Sequence, residues 1–406
     1  MREGTVSRGN HRLCLGVAGT LLLILAAAGW AQGVIENPAK PKAANAGRVI
    51  APEQVAVISG EGTSAYYFKW PGELRTGHDG GLILNDENQI LEFDANGKFV
   101  LNLFKKGQGP GEMTYAGTCL AAGTGFVVYS PNVRKLVHFD ASGRFTKEVP
   151  VRPEGRTMMN FLHYLDGTAY FEAGEFPRTT GDPDFVDNPR TIVAVNEPDG
   201  AIKKLSTFVT RSWVVTTAGG GGGMFDVSRL NAVPFKDRLL ALTHTEEYLI
   251  KIYDPAADKV LRQFRRPYER VKGKPLTETE KKGGLFINGK HYPRPEREFE
   301  NDIQNILTCD GEIWAVTSME DKAKGVFIDV FDGDGTYRDC FWLRLPEAGV
   351  RGLAGPGQCV LDGEFLWVVE QAEDGTYSIK KYEVGSSQAE TLRRELARQR
   401  GESEGP

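Results

Sequence analysis

Six recurrences of one hairpin signature, Asp-Gly turns ahead of short apolar runs, and a strand-like segment left over before the first unit predict an all-β fold. The architecture they imply is a six-bladed β-propeller of four-stranded antiparallel blades. The 406 residues are 40% hydrophobic and 10% aromatic, with 48 Gly and 21 Pro, which suits many short strands joined by tight turns around a large core. A formal charge of −5 argues against general nucleic-acid binding.

Arg2, Arg8 and Arg12 precede an apolar run from Leu13 to Ala28, and Gly29-Trp30-Ala31 sets small residues where cleavage before Gln32 would need them. Residues 1–31 therefore read as an export signal, and the protein as periplasmic or extracellular. The run is also at the short limit of a membrane span, so its retention as an anchor stays open; no second segment is apolar enough to span. Cys14 opens the run rather than closing it, which argues against a lipid-attached cysteine. Residues 32–52, rich in Ala, Pro and Asn, read as a linker, 53–385 as the propeller, and 386–406 as a polar tail with a short charged segment over 390–400.

The repeat is clearest at Phe93-Asp94-Ala95-Asn96-Gly97 and Phe139-Asp140-Ala141-Ser142-Gly143. Variants stand at Val195-Asn196-Glu197-Pro198-Asp199-Gly200, at residues 253–258 and at residues 331–335, and Tyr382-Glu383-Val384 is a truncated sixth. The Asp caps its own turn and the Gly supplies positive φ, so each copy joins two strands. Asp79-Gly80, Asp166-Gly167, Asp310-Gly311 and Asp362-Gly363 mark a second hairpin ahead of runs such as Ile313-Trp314-Ala315-Val316. Trp314 and Trp367 fall on matching second strands, a recurrence that speaks for packing between sheets. The last unit holds three strands, and residues 54–59 are free to supply its fourth, which would lock the first and last blades together.

Residues 82–97, followed by Gly107-Gln108-Gly109-Pro110-Gly111-Glu112, resemble the exported bacterial six-bladed β-propellers related to NHL-repeat proteins. The match is close over the first two units and loose over the other four. The resemblance implies a fold and no single activity.

Beyond residue 31 four cysteines remain, Cys119, Cys309, Cys340 and Cys359. An even number in an oxidising compartment permits disulfides; small buried thiols in strands are the other account, and a large core needs no staples. No Cys-x-x-Cys pair supports a zinc ribbon or a thioredoxin-like site.

In this strand order the connections between units and those between second and third strands share one face. The long loops fall there: 105–113, 152–159, 174–190, 211–224 and the insertion 265–298. Binding is therefore assigned to the long-loop face and the channel mouth. The insertion carries ten Lys or Arg against five Glu, which suits an acidic ligand or protein, although a solvated loop broken by four prolines has the same composition. Candidate ligand-binding residues are Lys105, Lys106, Glu112, Arg156, Arg211 and Arg351, the three arginines as a convergent anion site. Glu73, Glu112 and Gln358 each follow Pro-Gly and are candidate oxygen ligands for calcium, while Pro-Gly turns tidied by a polar residue are the plainer account. His78 and His163, near the ends of inner strands, are the acid–base candidates.

Two tempting motifs fail on their chemistry, and a third does not occur. Residues 284–291 approach a phosphate loop, but His291 stands where a magnesium-binding hydroxyl is needed. Asp332-Gly333-Asp334-Gly335-Thr336-Tyr337 has Tyr337 in place of the sharp-turn glycine of a calcium loop, and no Gly-x-Ser-x-Gly elbow occurs. The leading expectation is an exported, non-catalytic binding propeller for a protein, peptide or small acidic ligand, with no cofactor. The second is a calcium- or zinc-dependent hydrolase or lyase with its site at the channel mouth.

Overall fold

The computed structural model describes residues 33–153, 157–179, 182–197, 199–217, 221–236 and 238–385; residues 1–31, expected to be an export signal, Arg156 and the expected tail 386–406 lie outside the described residues. The described chain is nearly all β. Six sheets of four or five strands succeed one another along it, neighbours in sequence pairing antiparallel. The first comprises Pro71–Thr76, Leu82–Asp86, Gln89–Phe93 and Phe99–Asn102. The next four open with Cys119–Ala122, Met158–Leu165, Asn231–Phe235 and Ile303–Cys309. The sixth runs through Cys359–Asp362, Phe365–Gln371 and Tyr377–Glu383, and then pairs antiparallel with Glu53–Ser59.

Local chemistry explains the turns. Asp79 and Gly80 (φ 48° and 76°), Asp166 and Gly167 (48° and 75°) and Asp310 and Gly311 (50° and 79°) are left-handed in pairs, the backbone that a tight hairpin between right-twisted strands demands. Asp94 Oδ1 accepts from the backbone N–H of Asn96 and Lys98, both at 2.9 Å, and Asp140 and Asp332 cap their own turns in the same way. Gly97 has φ 79°, and a Cβ on it would stand 2.9 Å from the Ile58 side chain, so both backbone and space require glycine there.

Six apolar clusters lie between successive sheets. Ile83 and Phe126 meet between the first and second, Tyr129 and Phe171 between the second and third, Phe208 and Tyr253 between the third and fourth. Phe264 and Phe331 join the fourth to the fifth, Trp314 and Leu366 the fifth to the sixth, and Trp367, Ile58, Leu74 and Leu82 the sixth to the first. Covered on both faces, the central strands are largely buried, and in Gln89–Phe93 all five residues are, the polar Gln89 and Glu92 included. The first strands of the sheets neighbour one another in the same order, and Cys359–Asp362 neighbours Pro71–Thr76.

The structure departs from the sequence reading in three places. The stretch expected to be a linker, 32–52, carries two short strands: Ile35–Glu36 pairs in parallel with Lys259–Arg265, and Arg48–Ile50 with Tyr337–Leu343. They cover the outer edges of the fourth and fifth sheets, and side chains far apart in sequence hold them. Asn37 Nδ2 donates to Gly335 O at 2.9 Å, its Oδ1 accepts from Tyr337 N at 2.9 Å, and Arg48 pairs with Asp339 at 2.9 Å. Much of the expected loops 174–190 and 211–224 is strand. Asp184–Asn196 and Ala201–Thr216 form a long hairpin, to which Gly222–Asp226 adds a fifth strand. The insertion has its own elements, helix α1 (Glu278–Lys282), closed by a capping box of Thr277 and Glu280, and a hairpin Leu285–Ile287/Lys290–Tyr292. That hairpin packs Ile287 and Tyr292 on Trp213 and Val227. A further short helix, α2 (Glu347–Ala354), precedes the sixth sheet.

All four described cysteines are free thiols, three buried and Cys309 half-buried. Burial pushes the Cys359 thiol up to about 12. No helix among the described residues is long and apolar enough to cross a membrane.

Asn37→Ala strips buried Tyr337 N–H of its acceptor and should lower the unfolding free energy by about 1–3 kcal/mol in equilibrium denaturation, as an orphaned buried polar group does. No change would mean that residues 35–50 are dispensable to the fold.

Candidate functional site

The first strands of all six sheets together bound one cavity of about 600 Å³. Its polar lining includes Glu73, Arg75, His163, Asn231 and Asn305. Much of that chemistry is already satisfied: Arg75 Nε holds Glu73 at 2.9 Å, and Asn231 donates to Asn305 at 3.0 Å. His163 is the exception, its Nε2 buried with no hydrogen-bond partner. Burial lowers its pKa and the Arg75 charge acts in the same direction, so the ring is neutral. Tyr164, beside it in the lining, has its hydroxyl pushed up to about 12 by burial and by Glu197.

A second cavity, about 610 Å³, lies where the insertion meets the third and fourth sheets. The connection 244–247, between second and third strands, and residues 227 and 228, between sheets, place it at the long-loop end. Two arginine–aromatic stacks wall it: Arg211 over Phe185 at 5.3 Å, and Arg270 over Phe299 at 4.8 Å. Each is held by a carboxylate, Arg211 by Glu246 at 3.4 Å and Arg270 by Asp302 at 3.1 Å. His244 lines the same cavity. Its Nδ1 lies 2.9 Å from Val209 O, which can only accept, and its Nε2 lies 2.8 Å from the Lys251 ammonium, which can only donate. That arrangement requires a neutral ring, and burial lowers the pKa of His244 and of Lys251 accordingly.

The residues singled out from sequence scatter. Lys105 and Lys106 are exposed. Glu112 turns inward to its own loop, Oε2 accepting from Gly109 N at 2.9 Å, and fills the space where a Cβ on Gly107 would sit. Glu73 is paired with Arg75, and Gln358 donates to Gly72 O at 3.1 Å, so these two are neighbours while Glu112 belongs to another loop. Among the described residues no three His, Cys, Asp or Glu side chains are grouped as a metal site requires. Arg211 lines the second cavity, whereas Arg351 is exposed on α2 and lines neither cavity. His78 does not reach the first cavity; it faces Glu92 at 3.6 Å and sets its ring edge-on to Phe126. Arg270, Arg297, Phe185 and Phe299 were missed, because residues 185, 211, 244, 270 and 299 meet only through the long hairpin and the folded insertion. The basic composition of the insertion was the one signal that pointed there.

No protein-family model matches the chain, and no curated protein matches it. Among solved structures, a DUF4221-family member from Bacteroides vulgatus matches with a TM-score of 0.51 at 12% identity, over 83% of this chain and 98% of that one. A protein described as exported, from Bacteroides fragilis, gives 0.48 at 11% identity over 86% and 99%. A gluconolactonase from Xanthomonas campestris gives 0.41 at 14% over 83% and 98%. The first of these likenesses bears on fold, and at such identities none bears on activity.

The neutral, buried His163 has a pH signature. The unfolded chain takes a proton near the ordinary histidine pKa of about 6.5 while the folded ring resists it. Its contribution to stability is therefore full above that pH and is lost as pH falls toward the depressed folded value. His138 and His244, also lowered by burial, act in the same sense. The denaturation midpoint of the full chain should drop between about pH 8 and about pH 5.5, and drop less in His163→Gln. Equal drops in the two proteins would show that His163 is not buried neutral.

Proposed function

We propose that the chain is an exported six-bladed β-propeller, of the bacterial group related to NHL repeats, that binds a small acidic ligand at its long-loop face without transforming it. Three observations support the ring. The first strands follow one another in cyclic order, the apolar clusters do the same, and Glu53–Ser59 supplies the outer strand of the sixth sheet. The shared fold with the Bacteroides vulgatus protein agrees with it. Export rests on residues 1–31.

The observation that carries the binding reading is the 610 Å³ cavity at the long-loop end, of a size suited to a small molecule, with two flat arginine–aromatic stacks facing into one space. Three of its ionisable side chains are fixed by partners, while Asp187, Glu247, Glu296, Glu298 and Arg297 line it without an ion pair among the described residues. Arg211 and Arg270 are held by carboxylates, and His244 is fixed between a carbonyl and an ammonium. Groups locked in this way orient a ligand and are poorly placed to exchange protons with it. No particular geometry favours the metal-dependent hydrolase reading.

Saturation-transfer NMR on the full chain with benzyl alcohol and benzoate as probes tests the proposal. Both should bind weakly, benzoate the more tightly, and Phe299→Ala should remove most of the signal for each. Undiminished binding in Phe299→Ala would place the site elsewhere. Chelator-sensitive turnover of a lactone or ester would replace the binding reading with the catalytic one.

A further inference from the structure

Between the two large cavities lies a small recess of about 60 Å³, lined by Arg229, Arg297, Thr243, Thr245, Asn301 and Gln304. Thr245 and Arg297 also line the 610 Å³ cavity, and Asn231 borders both the recess and the 600 Å³ cavity. One water needs about 15 Å³ on this measure, so the recess has room for a group of several oxygens.

Its two cations, like Lys272, Lys282 and Lys290 outside the recess, have no carboxylate ion-pair partner among the described residues. Of the ten Lys and Arg in the insertion, Arg265, Arg266, Arg270, Lys274, Lys281 and Arg294 have carboxylate partners. Arg297 is half-buried and has none among the described residues. Its one hydrogen bond goes to the backbone carbonyl of Asp226, which leaves four of its five N–H donors unused. Arg229, three residues past the end of strand Gly222–Asp226 by way of Val227 and Ser228, has no ion pair or hydrogen bond among the described residues. Its position is nonetheless fixed: Val227 N and Ser228 N both donate to Arg211 O, and Ser228 Oγ accepts from Arg211 N. The Thr243 hydroxyl is buried without a partner. Desolvation of Arg297 opposes its charge, with Arg294 and Arg229 adding repulsion that Glu300 and Glu246 offset in part. A half-buried guanidinium with idle donors beside a second cation and an idle hydroxyl costs free energy until an anion accepts from them.

We infer that this recess is an oxyanion-binding subsite, in which Arg229 and Arg297 take the carboxylate or phosphate end of a ligand whose body lies in the adjoining cavity between Phe185 and Phe299. The inference deepens the binding reading above and rests on it for the body of the ligand, but the subsite is defined by its own residues. Thr243, Thr245 and the amides of Asn301 and Gln304 surround the two arginines with further polar groups, and the planar fork of Arg297 suits paired oxygens.

The test is isothermal calorimetry of the full chain with inorganic phosphate and, separately, with succinate, against sodium chloride at equal ionic strength. At least one oxyanion should bind where chloride does not, and the stronger of the two identifies the head group. Arg297→Gln should weaken that binding roughly ten- to hundredfold and Arg229→Gln by a smaller factor, while Lys290→Gln, on the hairpin outside the recess, leaves it unchanged. Because Arg229 is exposed, Arg229→Gln keeps the test alive if Arg297→Gln fails to fold. Binding that all three variants share equally, or no binding of either oxyanion, overturns the subsite. If benzyl alcohol still binds in the second case, the cavity reading stands and the oxyanion inference alone is lost.

Discussion

An open sheet edge is a row of idle backbone donors and acceptors, and covering three such edges organises the N-terminal part of this chain. Residues 35–59 are used three times, on the outer edges of the fourth, fifth and sixth sheets. The pairing partners lie far along the sequence: Asn37 reaches Gly335 across 298 positions, and Glu53 lies opposite Glu383. These edges therefore close only after the C-terminal strands exist, which makes the first described residues among the last to acquire their native partners. The junction between last and first sheets depends on the same step. Ile58 is part of the cluster that holds Trp367 against Leu82 and Leu84, and Lys381 donates to Ala95 O at 2.8 Å across that junction.

The insertion meets a second constraint, because so many cations need partners before the segment can lie against the sheets. Its start is fixed by Arg266, whose guanidinium meets buried Asp329 at 2.7 Å, with the Tyr248 and Tyr337 hydroxyls completing the carboxylate's hydrogen bonds. Its return is fixed by Asp302, which accepts from Arg270 and from Tyr248 N. A buried ion pair contributes little net stability but penalises every alternative packing that would separate it, so these contacts specify where the insertion sits. The walls of the 610 Å³ cavity follow, since Arg270 and Phe299 come from the two ends of that anchored segment. Arg297 is held differently, by a backbone carbonyl, and has no carboxylate ion-pair partner among the described residues.

Much of the fold is written in local chemistry and was therefore legible. Asp94, Asp140 and Asp332 cap their own turns, and Asp-Gly pairs set the tight hairpins, because these effects act over two to four residues. The parallel strands at 35–36 and 48–50 were misread as a linker because each is only two or three residues long. Ala-Pro-Asn composition says nothing about Asn37 bridging Gly335 and Tyr337. The hairpin built from Asp184–Asn196 and Ala201–Thr216 was read in part as loop because polar residues and Pro189 interrupt its apolar pattern, one face being solvated.

The site was less legible than the fold for a related reason. Charge counting gives the insertion a basic balance but cannot separate a cation that serves the fold from one that serves a ligand. Arg211 was found because it stands at a loop expected to face solvent, and Arg351, equally prominent in sequence, serves nothing visible in either cavity. Glu112 sits in the most conspicuous motif of the chain, yet its carboxylate closes the very turn that makes the motif recognisable. What marks Arg229 and Arg297 is that, without a carboxylate partner among the described residues, they line one recess together, and that is a fact about three dimensions. Six of ten cations in the insertion are assigned to Glu36, Asp329, Asp302, Glu320, Glu278 and Glu280; of the other four, Lys272, Lys282 and Lys290 lie outside the recess and Arg297 lines it, beside Arg229. A neutral His244 adds no charge to the neighbouring cavity and its Arg211 and Arg270 are paired with carboxylates, so Arg229 and Arg297, without an ion pair among the described residues, stand at one end of the site. That asymmetry is what would orient a ligand head first, with its apolar body left to the Phe185 and Phe299 walls.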